Sequence, residues 1–515
     1  MLTCTIEQNG RKWEEHILVI DAHSHLGQDV DGATMMNPLA PGAGTFDFWG
    51  NVQGRIKADW EKTGEQSFTS IMDGKSTKIS WSFTPYPFTD RLYIALKELG
   101  KKHSDLKEKS KFYSMVDQGV CFPFQDVFRD KHPEALYRAS NINVSRFTTR
   151  FPFSMKLIGY GRCDPMEGEK AVNEVRYARE VLGLRGLKLH PRSEGWIDRI
   201  SSEKAIQVLI EAASFSMPVI IDTRGRGSIL EISRLIEQTR NVLRSKYPDL
   251  LPHLKIIIAH FAQGNIDDYE VYNAVVQPNT YGDLSMLHGA GAGNFFESFR
   301  RWFKSNNKKR VDNRIWSEYL LFASDYPYFG DVHAQKLMKY IINKQFFDTG
   351  GTIQDTRNIL GLNQLRVLPE YNLPQKQKEL KNPPSLTISN PLFKTNKESS
   401  FATAITTLAK TIVDNKIDIK KFCLQFKETW AEFTDDVLLT IISNSKKQER
   451  NILLMNLIKD QITLFAPLQS NMEWKKFGYK YFDPVDRAFF AILFKTNYLS
   501  MDVNKTVETF THIYT

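Results

Sequence analysis

Short apolar runs recur along this chain. They are ILVIDAH (17–23), GVCFPF (119–124), KLIGYGR (156–162), LRGLKLH (184–190), PVIIDT (218–223), LKIIIAH (254–260), TYGDLSM (280–286) and YLLFASD (319–325). Each has the length of a strand, and those apolar throughout rather than alternating, as in PVIIDT and LKIIIAH, have the pattern of a parallel sheet covered on both faces. Most gaps between them hold an amphipathic helical segment. In EKAVNEVRYAREVL (169–182), Ala171, Val172, Val175, Ala178 and Val181 share one face, and SEKAIQVLIEAAS (202–214) has Ser202 placed to cap it. Strands and helices alternating in this way predict an α/β fold, a (β/α)8 TIM-like barrel. A doubly wound open sheet would more often bring a Gly-rich phosphate turn after its first strand, and none follows ILVIDAH.

The long segment between the first and second runs, residues 28–115, is expected as an insertion over the active-site mouth, because segments that leave the C-terminal end of a barrel strand lie there. Its Phe46, Phe48, Trp49 and Trp81 either line a substrate pocket or form the insertion's own small core. Past residue 370 the texture changes. LPEYNLPQKQKELKNPPSLTISNPL (368–392) is rich in Pro, Asn and Lys and reads as a linker. The domain division is therefore a barrel over 1–370, a linker over 371–395 and a helical domain over 396–515. In the last, Phe422, Phe426, Trp430 and Phe433 fall at helical spacing and read as core, and no catalytic signature is present.

Charge and cysteine usage narrow the setting. A net charge of +9 and a pI near 9.0 permit an anionic partner, but spread over 515 residues they read as a surface bias, so a nucleic-acid partner is not expected. Cys4, Cys121, Cys163 and Cys423 form no CxxC pair, which argues against a disulfide framework or a zinc ribbon and for a reducing compartment. MLTCTIEQNGRKWEEH lacks the apolar region of a signal peptide, and no run approaches the ~18–20 apolar residues that cross a bilayer. A cytoplasmic protein with no membrane partner is the expectation.

The chemistry lies where the strands end. His23 and His25 close the first run, Lys188 and His190 the fourth, Asp222 the fifth, His260 the sixth and Asp325 the eighth. Residues i and i+2 of a strand share a face, so His23 projects with His25 and Lys188 with His190. A lone histidine in such a place is commonly structural. A ring of imidazoles and carboxylates at the C-terminal ends of barrel strands is the donor set of a borderline metal such as Zn²⁺. A metal with an open position lowers the pKa of its water toward ~7, and Asp325 is placed as ligand, base or both. Arg192, Arg224 and Arg226 follow the fourth and fifth strands. They either clamp an anionic substrate or pair with Asp222 and Glu194 as loop charges.

VIDAHSHLG resembles the first-strand HxH signature of the amidohydrolase superfamily. FPFSMKLIGYGRCDP (151–165), GLRGLKLHPRSEGW (183–196), LKIIIAHFAQGN (254–265) and LLFASDYPYFG (320–330) resemble the third, fourth, sixth and eighth strands of its amidohydrolase-related branch of small-molecule hydrolases and decarboxylases, and NILGLNQLRVL (358–368) resembles the closing helix. The matches run in order over residues 15–370. The resemblance implies that His23 and His25 bind a divalent metal, with Asp325 as its carboxylate ligand and proton shuttle. It makes His260 a ligand or a hydrogen-bond partner of substrate or water, and sets Lys188 and His190 in a stretch that often reads KLHP. Because a fourth-strand lysine is carboxylated in other branches, a binuclear site stays open. One departure matters: where the branch usually reads PVLIHTG, this chain reads PVIIDTRG, with Asp222 in place of a histidine ligand. Asp222 either binds the metal, favouring Mn or Fe over Zn, or pairs with Arg224 or Arg192 at the expense of metal binding.

The expected activity is metal-dependent hydrolysis of an amide, lactone or ester bond in a small anionic substrate, with Zn as the first expectation for the metal. Asp325, His260 and Lys188 would be catalytic. His23, His25, Asp325, His190, Asp222 and His260 would supply the metal ligands, and Arg192, Arg224, Arg226 and Trp49 would contact substrate. Non-oxidative decarboxylation of an aromatic or unsaturated acid is the alternative within enzymes, ahead of a nuclease on the same scaffold. A degenerate barrel that binds a ligand or partner is the alternative from another class. It would assemble, as a homo-oligomer or with another protein, through the helical domain.

Overall fold

The computed structural model describes residues 2–26, 41–83, 115–125, 129–148, 157–262, 267–287, 290–306, 311, 313–328 and 330–369. The expected linker (371–395) and helical domain (396–515) lie outside these residues. So do 28–40 and 84–114 of the expected insertion, and the side chain of Phe46.

All eight apolar runs carry strand. β1 (Leu2–Gln8) and β2 (Arg11–Ile17) precede them, and the first run itself is split: Ile17 closes β2, and β3 spans Ile20–Leu26. After α1 (Pro41–Thr63) come β4 (Ser67–Met72) and β5 (Lys75–Phe83), then β6 (Gln118–Pro123) and α2 (Arg138–Thr148). The third run is interrupted at Tyr160 into β7 (Leu157–Gly159) and β8 (Gly161–Arg162), followed by α3 (Glu169–Glu180), β9 (Leu187–Leu189) and α4 (Glu203–Ser214). β10 (Pro218–Ile221), α5 (Arg226–Lys246), β11 (Lys255–Ile258), α6 (Tyr269–Val275) and β12 (Thr280–Asp283) continue the alternation. α7 (Ala290–Ser305), β13 (Leu320–Leu321) and α8 (Asp331–Ile341) close it, before the short α9 (Lys344–Asp348), α10 (Ile353–Arg357) and α11 (Asn363–Val367).

The fold is mixed α/β with parallel pairing at its centre. β3, β6 and β7 form one parallel sheet, and β8 to β13 a second in chain order. Backbone bonds join the two. Tyr160, just ahead of β8, donates to Cys121 O of β6 (2.9 Å), and Arg185, just ahead of β9, donates to Gly159 O of β7 (2.8 Å). On the other edge Ala22 donates to Phe322 O (2.9 Å), His25 to Tyr326 O (2.7 Å) and Asp325 to His23 O (2.9 Å). Ile220, Ile221, Ile257 and Ile258 are buried, as strands covered on both faces require.

The helices follow their caps and periodicity. Ser202 accepts from Ala205 N (3.3 Å) at the start of α4, as expected. In α3, Ala171, Val175 and Ala178 are buried, but Val172 is half-buried and Val181 exposed, because the helix ends at Glu180 before Val181 can join the face. The buried face is completed instead by Glu174, whose carboxylate takes Arg138 Nε (2.5 Å) and Asn141 Nδ2 (2.7 Å).

Residues 2–17, polar in composition, form a hairpin. β1 pairs antiparallel with β2 and with β5, and β5 with β4, giving the sheet order β2-β1-β5-β4. Both tight turns place non-glycine residues at positive φ ahead of a glycine, Asn9–Gly10 (52°, 73°) and Asp73–Gly74 (51°, 73°), the backbone of a primed turn. Trp81 is buried in this sheet, and Phe48 and Trp49 are buried on α1.

Candidate metal and active site

The strand ends bring the polar residues together. Within β3 the register against β6 shifts between Asp21 and Ser24, a bulge at the step from apolar strand to histidines. His23 and His25, both buried, lie with ring centroids 5.4 Å apart. Facing them is Asp325, just past β13. Its Oδ1 lies 3.1 Å from His23 Nε2 and 3.2 Å from His25 Nε2. Ligands around a tetrahedral divalent ion at ordinary bond lengths stand roughly 3.3 Å apart, so each imidazole nitrogen stands from the Asp325 oxygen at the spacing of a coordination set. His25 Nδ1 is buried with no hydrogen-bond partner among the described residues, and its ring is packed by Phe122, Phe124 and Tyr328. Two imidazole nitrogens and a carboxylate oxygen, all shielded from water, fit a divalent cation.

The electrostatics agree with that donor set. Burial drives the His25 imidazole down to about 3 against the pull of Asp325, leaving it neutral. For His23, burial and Lys188 act downward, but Asp283 and Asp325 outweigh them and raise it to about 9. Burial alone would raise the Asp325 carboxyl; His23 and His260 beside it hold it well below the usual carboxylate range. In the absence of a cation, the charge they would balance is carried by protons.

Beside this set lies a second cluster. Asp222 Oδ1 is 3.1 Å from His260 Nε2 and 3.4 Å from Lys188 Nζ, and its Oδ2 is 3.5 Å from His190 Nε2. Lys188 Nζ also lies 3.2 Å from His23 Nε2 and over the Phe122 ring (5.0 Å). Burial lowers the Lys188 and His190 values; Asp222, which burial would raise, is brought well below the ordinary carboxylate range by Lys188 and His190. Of the two arginines named as partners for Asp222, Arg224 brings Nε within 3.7 Å of Oδ2 and Arg192 is exposed. Arg226, the first residue of α5, is turned to Asp268 (2.8 Å) and Glu270. Trp49 is 1% exposed and donates its indole N–H to Asp21 Oδ2 (3.2 Å).

Four residues here take partners that the sequence reading did not assign. Asp283, at the end of β12, lies 2.8 Å from His23 Nδ1, and Ser285 lies 2.7 Å from His260 Nδ1. Asp21 accepts from Ser324 N (2.9 Å), the residue before Asp325. Glu194 takes the buried Arg162 (2.7 Å) and Trp196 Nε1 (3.1 Å), bracing the turn after His190. Asp283 and Ser285 have the same i, i+2 spacing at a strand end as His23 and His25, which is the signal that finds them.

No family model matches the chain, and no curated protein matches it. Solved structures similar to it include 5-carboxyvanillate decarboxylase from Sphingomonas paucimobilis, at 12% identity and a TM-score of 0.37, covering 68% of this chain and 98% of that one. Another is 4-oxalomesaconate hydratase from Rhodopseudomonas palustris (15%, TM-score 0.35, 68% and 95%). A third is an amidohydrolase from Mycobacterium avium subsp. paratuberculosis K-10 (13%, TM-score 0.33, 68% and 99%). Likeness at this level assigns no activity, so the chemistry has to come from the side chains. Among the described residues no helix is long and apolar enough to cross a membrane.

Proposed function

We propose that this chain is a metal-dependent hydrolase of the amidohydrolase type, acting on an amide, lactone or ester bond of a small anionic substrate. The observation that carries the reading is the convergence of His23 Nε2 and His25 Nε2 on one oxygen of Asp325, at 3.1 and 3.2 Å. The scaffold reading that goes with it is a closed (β/α)8 barrel, supported by backbone bonds that link β3 to residues 322–326 on one side and Gly159 of β7 to Arg185, just ahead of β9, on the other.

A divalent ion held by His23, His25 and Asp325 would supply a Lewis acid and lower the pKa of water bound to it. Asp325 directs Oδ1 at the two histidines and leaves Oδ2, 4.0 Å from His260 Nε2, to accept a proton. Ionised and buried, it would take, as a weak base, the proton of the water whose oxygen attacks the substrate carbon, and return it to the leaving group as the scissile bond breaks. Lys188 and Arg224 set positive charge beside the centre for an anionic substrate group, and Asp222 holds Lys188 in place. His190 and His260, on either side of Asp222, complete the polar wall.

One observation favours decarboxylation of an aromatic acid instead. His25 is stacked on Phe124 (4.7 Å, 18°), with the half-exposed Tyr328 edge-on to both, a wall suited to a flat ring.

Elemental analysis of the purified protein beside a His23→Ala/His25→Ala variant tests the metal. A stoichiometric divalent metal that the variant lacks is the expected result, and no metal in either protein after supplementation overturns the reading. The metal-loaded protein is then offered ester, lactone and amide substrates beside carboxylated aromatics, and CO₂ release in place of hydrolysis assigns the second reaction.

A further inference from the structure

Asp283 is fully buried and both of its carboxylate oxygens are committed. Oδ2 accepts from His23 Nδ1 at 2.8 Å. Oδ1 accepts from the backbone N–H groups of His260 (3.1 Å) and Ser285 (3.0 Å) and from the Ser285 hydroxyl. Because that hydroxyl spends its proton on Asp283, its oxygen faces His260 Nδ1, 2.7 Å away, as an acceptor. Both imidazoles therefore carry their Nδ1 proton toward β12. That leaves His23 Nε2 facing Asp325 Oδ1 at 3.1 Å and His260 Nε2 facing Asp222 Oδ1 at 3.1 Å.

We propose that Asp283 is the positioning residue of the site. One carboxylate fixes the tautomers of two histidines, His23 directly and His260 through Ser285, so that both turn Nε2 toward the centre. The proposal rests on the metal reading in one respect, the use made of those Nε2 atoms. His23, His260 and Asp283 also lie close enough to be a ligand group themselves. The geometry speaks against it: three donors occupy Oδ1, and Oδ2 is bonded to His23 Nδ1 at hydrogen-bond distance, so carboxylate and imidazole are turned to each other rather than to a shared cation. Outer partners of this kind orient a ligating imidazole and raise its basicity.

The two branches can be cut separately. In Asp283→Asn the two backbone donors at the Oδ1 position require the amide oxygen there, so the NH₂ group meets His23 Nδ1 and forces the proton onto Nε2. The Ser285 branch keeps its acceptor. In Ser285→Ala the His260 Nδ1 proton loses its acceptor and His23 is untouched. Full-length protein labelled with ¹⁵N-histidine reports the protonated nitrogen of each ring directly, with His23→Ala and His260→Ala spectra for assignment, and chelator competition reports Zn²⁺ affinity. The expected result is Nδ1–H on both rings in the wild type, read for His23 in metal-free protein above its raised value of about 9, where the ring holds a single proton. Asp283→Asn should shift the proton to Nε2 on His23 alone and weaken Zn²⁺ binding roughly 10–100-fold, whereas Ser285→Ala should perturb His260 alone. A His23 Nδ1 that stays protonated in folded Asp283→Asn, or a Ser285→Ala change that appears on His23, overturns the proposal. Wild type that takes up no Zn²⁺ but shows both branch effects supports the role of Asp283 while sinking the metal reading.

Discussion

Replacing Glu194 with Leu is the severest test of how the site is braced. Its carboxylate and the Arg162 guanidinium are 0% and 1% exposed, 2.7 Å apart. Arg162 also holds Ser193 Oγ (2.6 Å) and Pro123 O (3.3 Å) and lies over the Tyr137 ring (4.6 Å). Glu194 in turn receives Trp196 Nε1 (3.1 Å) and His190 N (3.4 Å). Burial leaves the Glu194 carboxyl above its ordinary value even with Arg162 beside it, a sign of how much desolvation the pair has to offset. Leucine keeps the volume and removes the charge, so Arg162 is left buried and uncompensated, at a cost of about 3–5 kcal/mol against a total stability of about 5–15 kcal/mol. Urea unfolding followed by circular dichroism, with a linear extrapolation, measures it. Arg162→Met/Glu194→Leu removes both charges and is expected to recover most of the loss, since a buried pair replaced as a whole is often neutral. A single variant that loses less than ~1 kcal/mol, the range of an exposed pair, or a double variant no better than the single, would refute the brace.

Chelation should destabilise the protein as loaded. An ion that binds only the folded state adds about 2.7 kcal/mol at 100 times its dissociation constant, so EDTA should lower the melting temperature of wild type and leave His25→Ala unchanged; equal shifts would exclude His25 as a ligand. With the cation removed, His23 contributes stability that is fully present below its unfolded value of 6.5 and lost as pH rises through about 9. The share is on the order of 3 kcal/mol, and His25, neutral above 6.5 in both states, adds nothing in that window. Urea midpoints of chelated protein should fall from pH 6.5 to 9 and fall less in His23→Gln; parallel curves would contradict the assignment. In Gly119→Ala the added Cβ would stand 2.3 Å from the Trp49 ring. Because Trp49 is tethered to Asp21, overpacking of about 1–3 kcal/mol is expected, and a midpoint equal to wild type would show that the ring can move freely.

Most of the scaffold was legible because a strand covered on both faces has to be apolar along its length, as Val219–Ile221 and Ile256–Ile258 are, and the remaining runs recur between helical segments at the same rhythm. The N-terminal hairpin was legible and went unread. Leu2, Cys4 and Ile6 alternate with polar residues and lead into Asn9–Gly10, the strongest short hairpin signal, but the charged β2 that follows lacks the apolar run that marks the other strands. The histidines and Asp325 could be placed together because strand-end position and i, i+2 spacing suffice for that. Partner choice could not. Asp222 has His260, Lys188, His190 and Arg224 within 3.1–3.7 Å, and nothing in the spacing of PVIIDTRG ranks four nitrogen-bearing side chains that arrive from three strands. The outward turn of Arg226 depends on Asp268 and Glu270, which start a different helix.

What the strands bring near each other, the backbone then aims. His260 and Asp325 both follow a strand and both sit at positive φ, 54° and 56°, a region that costs a side-chain-bearing residue roughly 1–2 kcal/mol. Neither is the Asn, Asp or Gly of a surface turn, as Asn9 and Asp73 are; each is buried, and each carries its side chain into the cluster. The bonds around Asp325 show what offsets the bend. Its N–H is taken by His23 O (2.9 Å), its carbonyl receives Tyr328 N (3.0 Å), and the preceding Ser324 N–H is held by Asp21 (2.9 Å), itself held by Trp49. The residue that opposes the two histidines is thus fixed from the same strand that carries them. A shift of Trp49 or Asp21 reaches the Asp325 carboxylate through two hydrogen bonds and one strained turn. Since a local strain persists only where its surroundings over-determine it, the concentration of such bonds on Asp325 marks it, more than any histidine, as the atom set the fold is organised to place.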